Sequence, residues 1–280
     1  MKEIIHIYDS GSQKPGRLLK IMLHDLVKSL GLATRLLIRN INIQYRQTVL
    51  GYLWAFLPPL VMTVVWVYLA SIKVLNISST NIPYLLYVLT GLVFWQTFVD
   101  AINMPLKIFN ESRAMISKIN FPHEALFLAG FGEVLFNFLV RFLLLIPVFI
   151  YLKFVPADTA ILVPVGVLSI IGLGMMIGIL LVPPGVLFQD INRGLIIILQ
   201  LWFFLTPVIY PVPDKSAVFN LIALNPVTPI IEISRNALTN GDLSYLPAFI
   251  FVTALTFILI ITGWIIYRIA LPHLIARIGA

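Results

Sequence analysis

The chain has 280 residues, of which 60% are hydrophobic and 11% charged, and its mean hydropathy is +0.98. Soluble domains carry about 45–50% apolar and about 25% charged residues, so the composition excludes a soluble domain and predicts an all-α polytopic membrane protein. The net charge of +7 is interpreted as reflecting membrane topology and attraction to anionic lipid rather than nucleic-acid binding. With no cysteines and four scattered histidines, the sequence predicts neither disulfides nor a metal site.

Two amphipathic segments precede the first long apolar run, and with a loose tail they make up an N-terminal region of residues 1–50. The first, Pro15–Gly31, has apolar residues at helical spacing and basic residues on its other faces, which predicts an interfacial helix that Gly31 ends. The second, Ala33–Leu50, carries Arg35, Arg39 and Arg46 among apolar residues and leads into the bilayer.

Six apolar runs approach or exceed the roughly 20 residues that cross a bilayer as a helix. They form a transmembrane domain of residues 51–268, followed by a tail of residues 269–280. The third run is long, so it should tilt, bend near Pro147 or extend out of the bilayer, whereas the fifth is short. The predicted spans are Leu53–Ile72, Tyr84–Asn103, Glu124–Leu152, Ile161–Val182, Gly194–Tyr210 and Leu246–Tyr267.

The distribution of lysine and arginine predicts that both termini are cytoplasmic. With an inner N-terminus, most of these residues fall on inner segments. The outer segments then hold only Lys73, Lys153, Lys215 and Arg235, and Arg141 lies within a span.

A charged island, Leu106–Pro122, separates the second and third spans. Its middle, Ile108 to Ile119, is predicted to form a short amphipathic helix that Pro122 stops. Such a helix could carry force from a soluble partner into the bilayer, although any loop between spans must also be polar. The candidate contacts with such a partner are Ile108, Glu111, Arg113, Met115 and Lys118.

The segment after the fifth span, about residues 211–245, is too apolar for a free loop. Pro213–Leu224 and Thr228–Leu238 are interpreted as two short helices that form a re-entrant or gate hairpin on the outer side. Irregular backbone at membrane depth is tolerated only in protein or beside a watery cavity, which favours a pathway there. A passive interfacial hairpin is an equal alternative.

Two charges lie deep within the third span, Glu133 and Arg141. They are about a quarter turn out of line on an ideal helix, so each is expected to pair with a neighbouring span or chain. Structural pairing is favoured over a proton relay, because few polar residues are spread through the other spans. The chain contains no phosphate-binding G-x-x-x-x-G-K-[ST] loop and no hydrolase or zinc-protease motif, so no catalytic residue is predicted.

Aromatic residues crowd the spans beyond what two interfacial belts require. Some of the rings could line a path and stack on sugar faces, whereas lipid-facing belts and packing account for many of them. The candidate glycan-path residues are Tyr87, Trp95, Phe98, Phe131, Trp202, Phe203 and Tyr210.

Several short runs, in order along nearly the whole chain, carry a family resemblance. They are YRQTVLGYLWA from Tyr45 with Pro58-Pro59, GLVFW from Gly91, INFPHE from Ile119, QLWFFLTPVIYP from Gln200, and Asn225-Pro226. Together they resemble ABC transporter type-2 permeases of the polysaccharide-export branch. Two departures are Arg39-Asn40-Ile41, where the branch often has an acidic-basic pair, and the unusual Pro183-Pro184 after the fourth span.

The resemblance implies a homodimer with two separate ATP-binding subunits, which would hold the ATP and Mg²⁺, so no cofactor is expected in this chain. It implies that Leu106–Pro122 is the coupling helix, Pro15–Gly31 the interface helix, Ala33–Leu50 the gate helix, and Pro213–Leu238 the outer gate. The substrate would be a polysaccharide on an undecaprenyl-type lipid, and the location the bacterial inner membrane.

The arginines Arg35, Arg39 and Arg46 are a hypothesis for the entrance of the lipid head, although the positive-inside rule alone would also place them there. Three rivals stay open: a small-molecule or drug exporter of the same superfamily, an autonomous flippase or proton-coupled carrier that depends on Glu133, and a membrane glycosyltransferase. The last would need a loop rich in carboxylates, and the longest outer loop offers only Asp214, Glu232 and Asp242.

Overall fold

A computed structural model describes residues 15–46, 51, 53–74, 82–118, 123–212, 222, 224–239 and 241–278, without side chains at 15–21, 45–46, 114, 117–118 and 271–278. The N-terminal tail, the ends of the gate segment and of the charged island, and most of Pro213–Leu224 lie outside the described residues. The described regular structure is entirely helical, which confirms the predicted all-α membrane class.

Ten α-helices and one 3₁₀ helix make up the described chain. The α-helices are α1 (Pro15–Arg46), α2 (Leu53–Ser71), α3 (Tyr84–Glu111), α4 (Arg113–Lys118), α5 (Glu124–Phe142), α6 (Leu145–Tyr151), α7 (Val163–Leu187), α8 (Gln189–Leu205), α9 (Val227–Thr239) and α10 (Leu246–Ile278), and the 3₁₀ helix is Asp158–Leu162.

The two predicted N-terminal segments form one continuous helix, so the prediction that Gly31 ends the first was wrong. A glycine inside a helix costs only about 1 kcal/mol relative to alanine, which tertiary packing can outweigh. Met22, Ala33 and Leu36 keep one apolar face buried on both sides of Gly31, and α1 packs along α5. The apolar periodicity therefore carries the helix through the glycine.

The third predicted span is interrupted near Pro147, where a bend was one of the expected outcomes. The chain forms α5 and α6 with a break at Leu143 and Leu144. Pro147 explains the position of the break, because proline has no N–H for the carbonyl four residues earlier and its ring clashes with that carbonyl, which belongs to Leu143.

Five stretches are long and apolar enough to cross a membrane: Leu53–Ser71, Tyr84–Glu111, Glu124–Tyr151, Asp158–Leu187 and Leu246–Ala270. The fifth predicted span, Gly194–Tyr210, differs, since α8 begins earlier and ends at Leu205. Thr206 precedes Pro207 and is extended (φ −108°, ψ 133°), as residues before proline tend to be. With 17 residues α8 is about 25 Å long, so the count of six spans stays a prediction.

The centre of the bundle is α3, which packs most extensively on α7. Gly174 and Gly178 of α7 form a G-x-x-x-G pair against it, and an added Cβ at Gly174 would lie 2.5 Å from Ala101 Cβ. Small residues of this kind let membrane helices approach closely. We call the two ends of the bundle the α4 end and the α9 end; α3 runs from the α9 end at Tyr84 to the α4 end at Glu111.

Candidate functional site

The predicted coupling segment is divided between two helices. α3 continues to Glu111, Ser112 N donates to Ile108 O at 2.9 Å, and the six-residue α4 follows. The prediction of a single helix from Ile108 to Ile119 was therefore wrong about where that helix begins. Ile108 belongs to α3 and is buried against α5, where its Cδ1 lies close to Gly130, so in this conformation it cannot contact a soluble partner.

The other predicted coupling residues lie nearer the surface. Glu111 is exposed at the last position of α3, and Met115 of α4 is half-buried against the core. Arg113 donates from Nε and Nη2 to Asn110 Oδ1, at 3.1 and 2.7 Å, which ties α4 to the end of α3. Lys118 ends α4, and its side chain lies outside the described part.

Glu133 lies at the junction of α1, α3 and α5. It is buried and accepts a hydrogen bond from Lys107 Nζ at 2.8 Å and another from Asn40 Nδ2 at 3.3 Å. Asn40 Oδ1 in turn accepts from Arg39, at 3.3 and 3.1 Å. The carboxylate is thus paired with a neighbouring helix, as the helical geometry predicted.

Arg141 is paired in the same way about two turns deeper. Its Nη2 lies 2.7 Å from Asp100 Oδ2, while its Nε and Nη1 are buried and make no hydrogen bond in the described structure. The pairs Lys107–Glu133 and Asp100–Arg141 are stacked along the antiparallel α3–α5 contact. Any functional role for Glu133 and Arg141 stays a prediction.

Arg268 joins three helices at the α4 end. It donates to Glu124 Oε1 of α5 at 2.7 Å and to Asp25 Oδ2 of α1 at 2.6 Å, while belonging to α10 itself. His123, just before α5, is buried near this group. Burial, together with the nearby Arg268 charge, lowers the pKa of His123 to about 4, so the imidazole is neutral at physiological pH.

The predicted lipid-head arginines are placed along α1. Arg35 and Arg39 are exposed, which leaves their guanidinium groups accessible. Arg46 is the last residue of α1, and its side chain lies outside the described residues. The structure thus places these positions on one helix without testing what they bind.

The segment from Thr206 to Val212 is irregular and is held by side chains from other elements. Arg235 Nη2 of α9 donates to the carbonyls of Pro207 and Val208, at 3.0 Å each. Tyr84 and Tyr87 of α3 donate their hydroxyls at 2.9 Å to the next two carbonyls, those of Ile209 and Tyr210. Four consecutive carbonyls thus gain donors, which is what irregular backbone at membrane depth requires.

Arg235 is the centre of this arrangement and is 0% exposed. Its Nη1 lies 2.8 Å from Glu232 Oε1, one turn earlier on α9, and its guanidinium carbon lies 3.7 Å from the centroid of the Tyr87 ring. A carboxylate, a π face and two carbonyls offset much of the cost of burying the charge, while Nε is buried and makes no hydrogen bond in the described structure. Arg235 was predicted to lie in an outer segment; the structure shows it buried within the bundle on α9, and the side of the membrane on which α9 lies stays a prediction.

Gly91 lets this arrangement approach α3. A Cβ there would collide with the Val208 carbonyl oxygen and would lie 2.5 Å from Arg235 Nη2. The position therefore requires the absence of a side chain, which explains the glycine at the start of the GLVFW run.

Asn225 holds the start of the irregular segment against the end of α8 and the start of α9. Its Nδ2 donates to Thr206 Oγ1 at 2.8 Å, and its Oδ1 accepts from Trp202 Nε1 at 3.1 Å and from Val227 N at 3.0 Å. The last of these bonds gives an acceptor to Val227 N, one of the backbone N–H groups that have no partner within the first turn of α9. The Asn225-Pro226 motif thus connects the end of α8 to α9.

The predicted glycan-path rings fall into two groups and one separate residue. Trp95 and Phe98 of α3 pack against Phe203 and Trp202 of α8, with centroid distances of 5.6 and 5.2 Å. Tyr87 belongs to the Arg235 arrangement and Tyr210 is half-buried beside it, while Phe131 is half-buried on α5. Tyr87, Trp95 and Phe98 are buried within the chain, so in this conformation they present no surface to a substrate.

Sequence reasoning missed the arrangement around Arg235. Glu232 and Arg235 are three residues apart within the apolar run IIEISRNAL, and this spacing on a helix is the signal that could have found the pair. It also missed Arg268, Asp100 and Lys107 as ion-pair partners, for which no local sequence signal exists.

Comparison of the sequence with known proteins places the chain in a family. Residues 32–239 match the family model described as ABC-2 type transporter. The chain is 29% identical over 217 residues to the O-antigen export system permease protein RfbA of Myxococcus xanthus, covering 75% of the chain and 81% of that protein.

Two further relatives cover somewhat more of the chain. The O-antigen export system permease protein RfbA of Klebsiella pneumoniae is 29% identical over 239 residues, 82% of the chain and 88% of that protein. The polysialic acid transport protein KpsM of Escherichia coli is 20% identical over 239 residues, 83% of the chain and 91% of that protein. The chain is therefore a multi-pass membrane permease that belongs to the ABC-2 type transporter family, in its polysaccharide-export branch.

Proposed function

We propose that this chain is the membrane subunit of an ATP-driven exporter that carries a lipid-linked polysaccharide across the bacterial inner membrane. The observation that supports it most is the similarity to O-antigen export permeases over 75% and 82% of the chain. Two copies form the channel, with the N- and C-termini of each in the cytoplasm. Two separate subunits bind ATP and Mg²⁺ and hydrolyse the ATP, and this chain performs no covalent chemistry.

Force from the ATP-binding subunits enters at the α4 end. Glu111 is exposed at the junction of α3 and α4, and the bonds from Arg113 to Asn110 join α4 to α3, so a push on α4 moves α3 as well. At its other end α3 contacts the irregular segment through Tyr84 and Tyr87. A single stiff helix thus links the site where ATP acts to the segment that closes the path.

The substrate enters from the cytoplasmic side with its phosphate head near Arg35, Arg39 and Arg46. The sugars slide past Phe131, Trp202, Phe203 and Tyr210, and opening of the α3–α8 contact gives them Trp95 and Phe98 as well. Export measured after all three arginines are changed to glutamine should fall, together with lipid-stimulated ATP hydrolysis. Unchanged values in an assembled complex would remove the arginines from this role.

A pull-down tests the proposal as a whole. The tagged chain is expressed with its gene neighbourhood, and an ATP-binding subunit should be recovered with it. The double change Glu111→Arg with Arg113→Glu should abolish the recovery, while the dimer persists. A matched control, Asp190→Arg with Arg193→Glu, reverses the charges of two exposed residues of α8 and should retain the subunit.

Each failure points to a specific rival. If no ATP-binding subunit is recovered and transport persists, the chain is an autonomous carrier, and Glu133→Gln should then abolish transport. If the subunit is recovered but small amphiphiles stimulate ATP hydrolysis and lipid-linked glycans do not, the chain exports small molecules.

A further inference from the structure

A groove of about 530 Å³ opens on the surface of the bundle at the α9 end. This volume falls within the range of about 300–1,000 Å³ typical of ligand sites. The groove lies where α5 gives way to α6, and Leu238 of α9 forms part of its wall. The recess thus lies next to the interruption between α5 and α6 and beside the helix that carries Arg235.

The walls of the groove are hydrocarbon and face outwards. Ile146 and Ile150 of α6 are 50% and 72% exposed, and Phe149 and Phe154 form the floor. Exposed apolar side chains on a membrane-spanning helix face acyl chains, because lipid is as apolar as they are. The groove is therefore open to the acyl chains of a surrounding bilayer.

Lys153 alone among the described lining residues carries a charge. It follows α6 in a left-handed conformation with φ 51°, which glycine usually adopts. Lys153 N donates to Ile150 O at 3.1 Å and Phe154 N to Phe149 O at 2.9 Å, so the helix end is closed and the lysine is held at the mouth of the groove.

Among the residues that the structure describes, no carboxylate pairs with Lys153. Each ion pair found among the described residues involves Lys107, Arg141, Arg235 or Arg268, and none involves Lys153. An ammonium group at the polar end of a hydrocarbon groove is complementary to a ligand with a negative head and an apolar tail.

We propose that this groove binds an anionic phospholipid, with its phosphate on the Lys153 ammonium group and one acyl chain along Ile146, Phe149 and Ile150. The lipid also contacts Leu238, one turn from Arg235 on α9. The α9 end of the bundle thereby has a fixed lipid contact. The proposed export of glycan does not require this contact.

Native mass spectrometry of the full-length chain in detergent tests the site. Phosphatidylglycerol and phosphatidylcholine with identical acyl chains are the probes. The unmodified chain should retain more phosphatidylglycerol, and Lys153→Gln should weaken its binding about fivefold, the contribution of one lysine near an anionic lipid. Lys153→Arg should retain the binding, since the charge is kept.

The chain offers a matched control in Lys73. This residue follows α2 in the same left-handed conformation, with φ 56° and the same two hydrogen bonds, Lys73 N to Ala70 O and Val74 N to Leu69 O. It does not line the groove, so Lys73→Gln should leave binding unchanged. Equal loss in the two glutamine variants would mean attraction by surface charge alone and would overturn the proposal.

A second pair of variants tests the groove without changing charge. Ile146→Trp should fill it and reduce retention of phosphatidylglycerol, whereas Leu139→Trp, on α5 with similar exposure (53% against 50%), should not. Unchanged binding in Ile146→Trp or Lys153→Gln, or equal retention of the two lipids by the unmodified chain, would overturn the site.

Discussion

Arg235 at the α9 end of this permease and Arg35 and Arg39 of α1 at the α4 end are placed in opposite ways. At the α9 end Arg235 is fully buried and bonds to Glu232 and to two carbonyls of an irregular segment. At the α4 end Arg35 and Arg39 lie on the surface of α1. The α9 end is thus held by internal bonds, whereas the α4 end combines the internally paired Arg268 with exposed cations on α1 that other molecules can reach.

The sharpest way to test this comparison is to remove the buried arginine. Arg235→Ala should lower the free energy of unfolding by about 3–5 kcal/mol, because Glu232 would be left as a buried charge without its partner. Thermal unfolding in detergent measures the effect. Arg35→Ala, the exposed counterpart, should change stability by less than about 0.5 kcal/mol, and a similar loss in both variants would contradict the comparison.

Glycine positions at the two ends should respond with opposite signs. Gly91→Ala places a methyl group against Val208 O and Arg235 Nη2, and overpacking of this kind costs about 1–3 kcal/mol. Gly31→Ala, in α1, meets open space and should stabilise the chain by about 0.5–1 kcal/mol. Unfolding temperatures of the two variants give the signs directly, and a stabilising Gly91→Ala would show that the irregular segment can move aside.

A double-mutant cycle tests whether the Lys107–Glu133 ion pair, towards the α4 end, resembles the Glu232–Arg235 pair at the α9 end. Lys107→Met, Glu133→Gln and the double variant should give an interaction free energy of about 1 kcal/mol, since Lys107 is 44% exposed and solvent or lipid heads screen it. An interaction free energy as large as the loss of about 3–5 kcal/mol expected for Arg235→Ala would mean that the α4 end is held as firmly as the α9 end.

The α4 end should also be the more sensitive to mild acid. Because the folded pKa of His123 lies below its usual value of about 6.5, the unfolded chain takes up the proton first as pH falls. Stability is thus unaffected well above pH 6.5 and falls by about 1 kcal/mol between pH 6.5 and 5.5. Unfolding curves at these pH values measure the loss, and His123→Gln should flatten it. An equal loss in the variant would assign the pH dependence to other groups.

The sequence alone was sufficient to predict the membrane class, the position of most spans and the polysaccharide-export branch. These properties follow from local features: runs of apolar residues long enough to cross a bilayer, and short motifs such as GLVFW and Asn225-Pro226. The interruption of the third span also has a local cause, because Pro147 affects a carbonyl only four residues away.

The tertiary structure alone decided which charges meet and which rings are buried. Glu133 and Lys107 are 26 residues apart, and Arg268 and Asp25 are 243 apart, so no spacing rule connects them. The burial of Trp95 and Phe98 likewise depends on α8 packing against α3. Hydropathy is a sum over neighbours in the chain, whereas these pairings depend on how helices far apart in sequence pack together, and that packing determined the arrangement around Arg235.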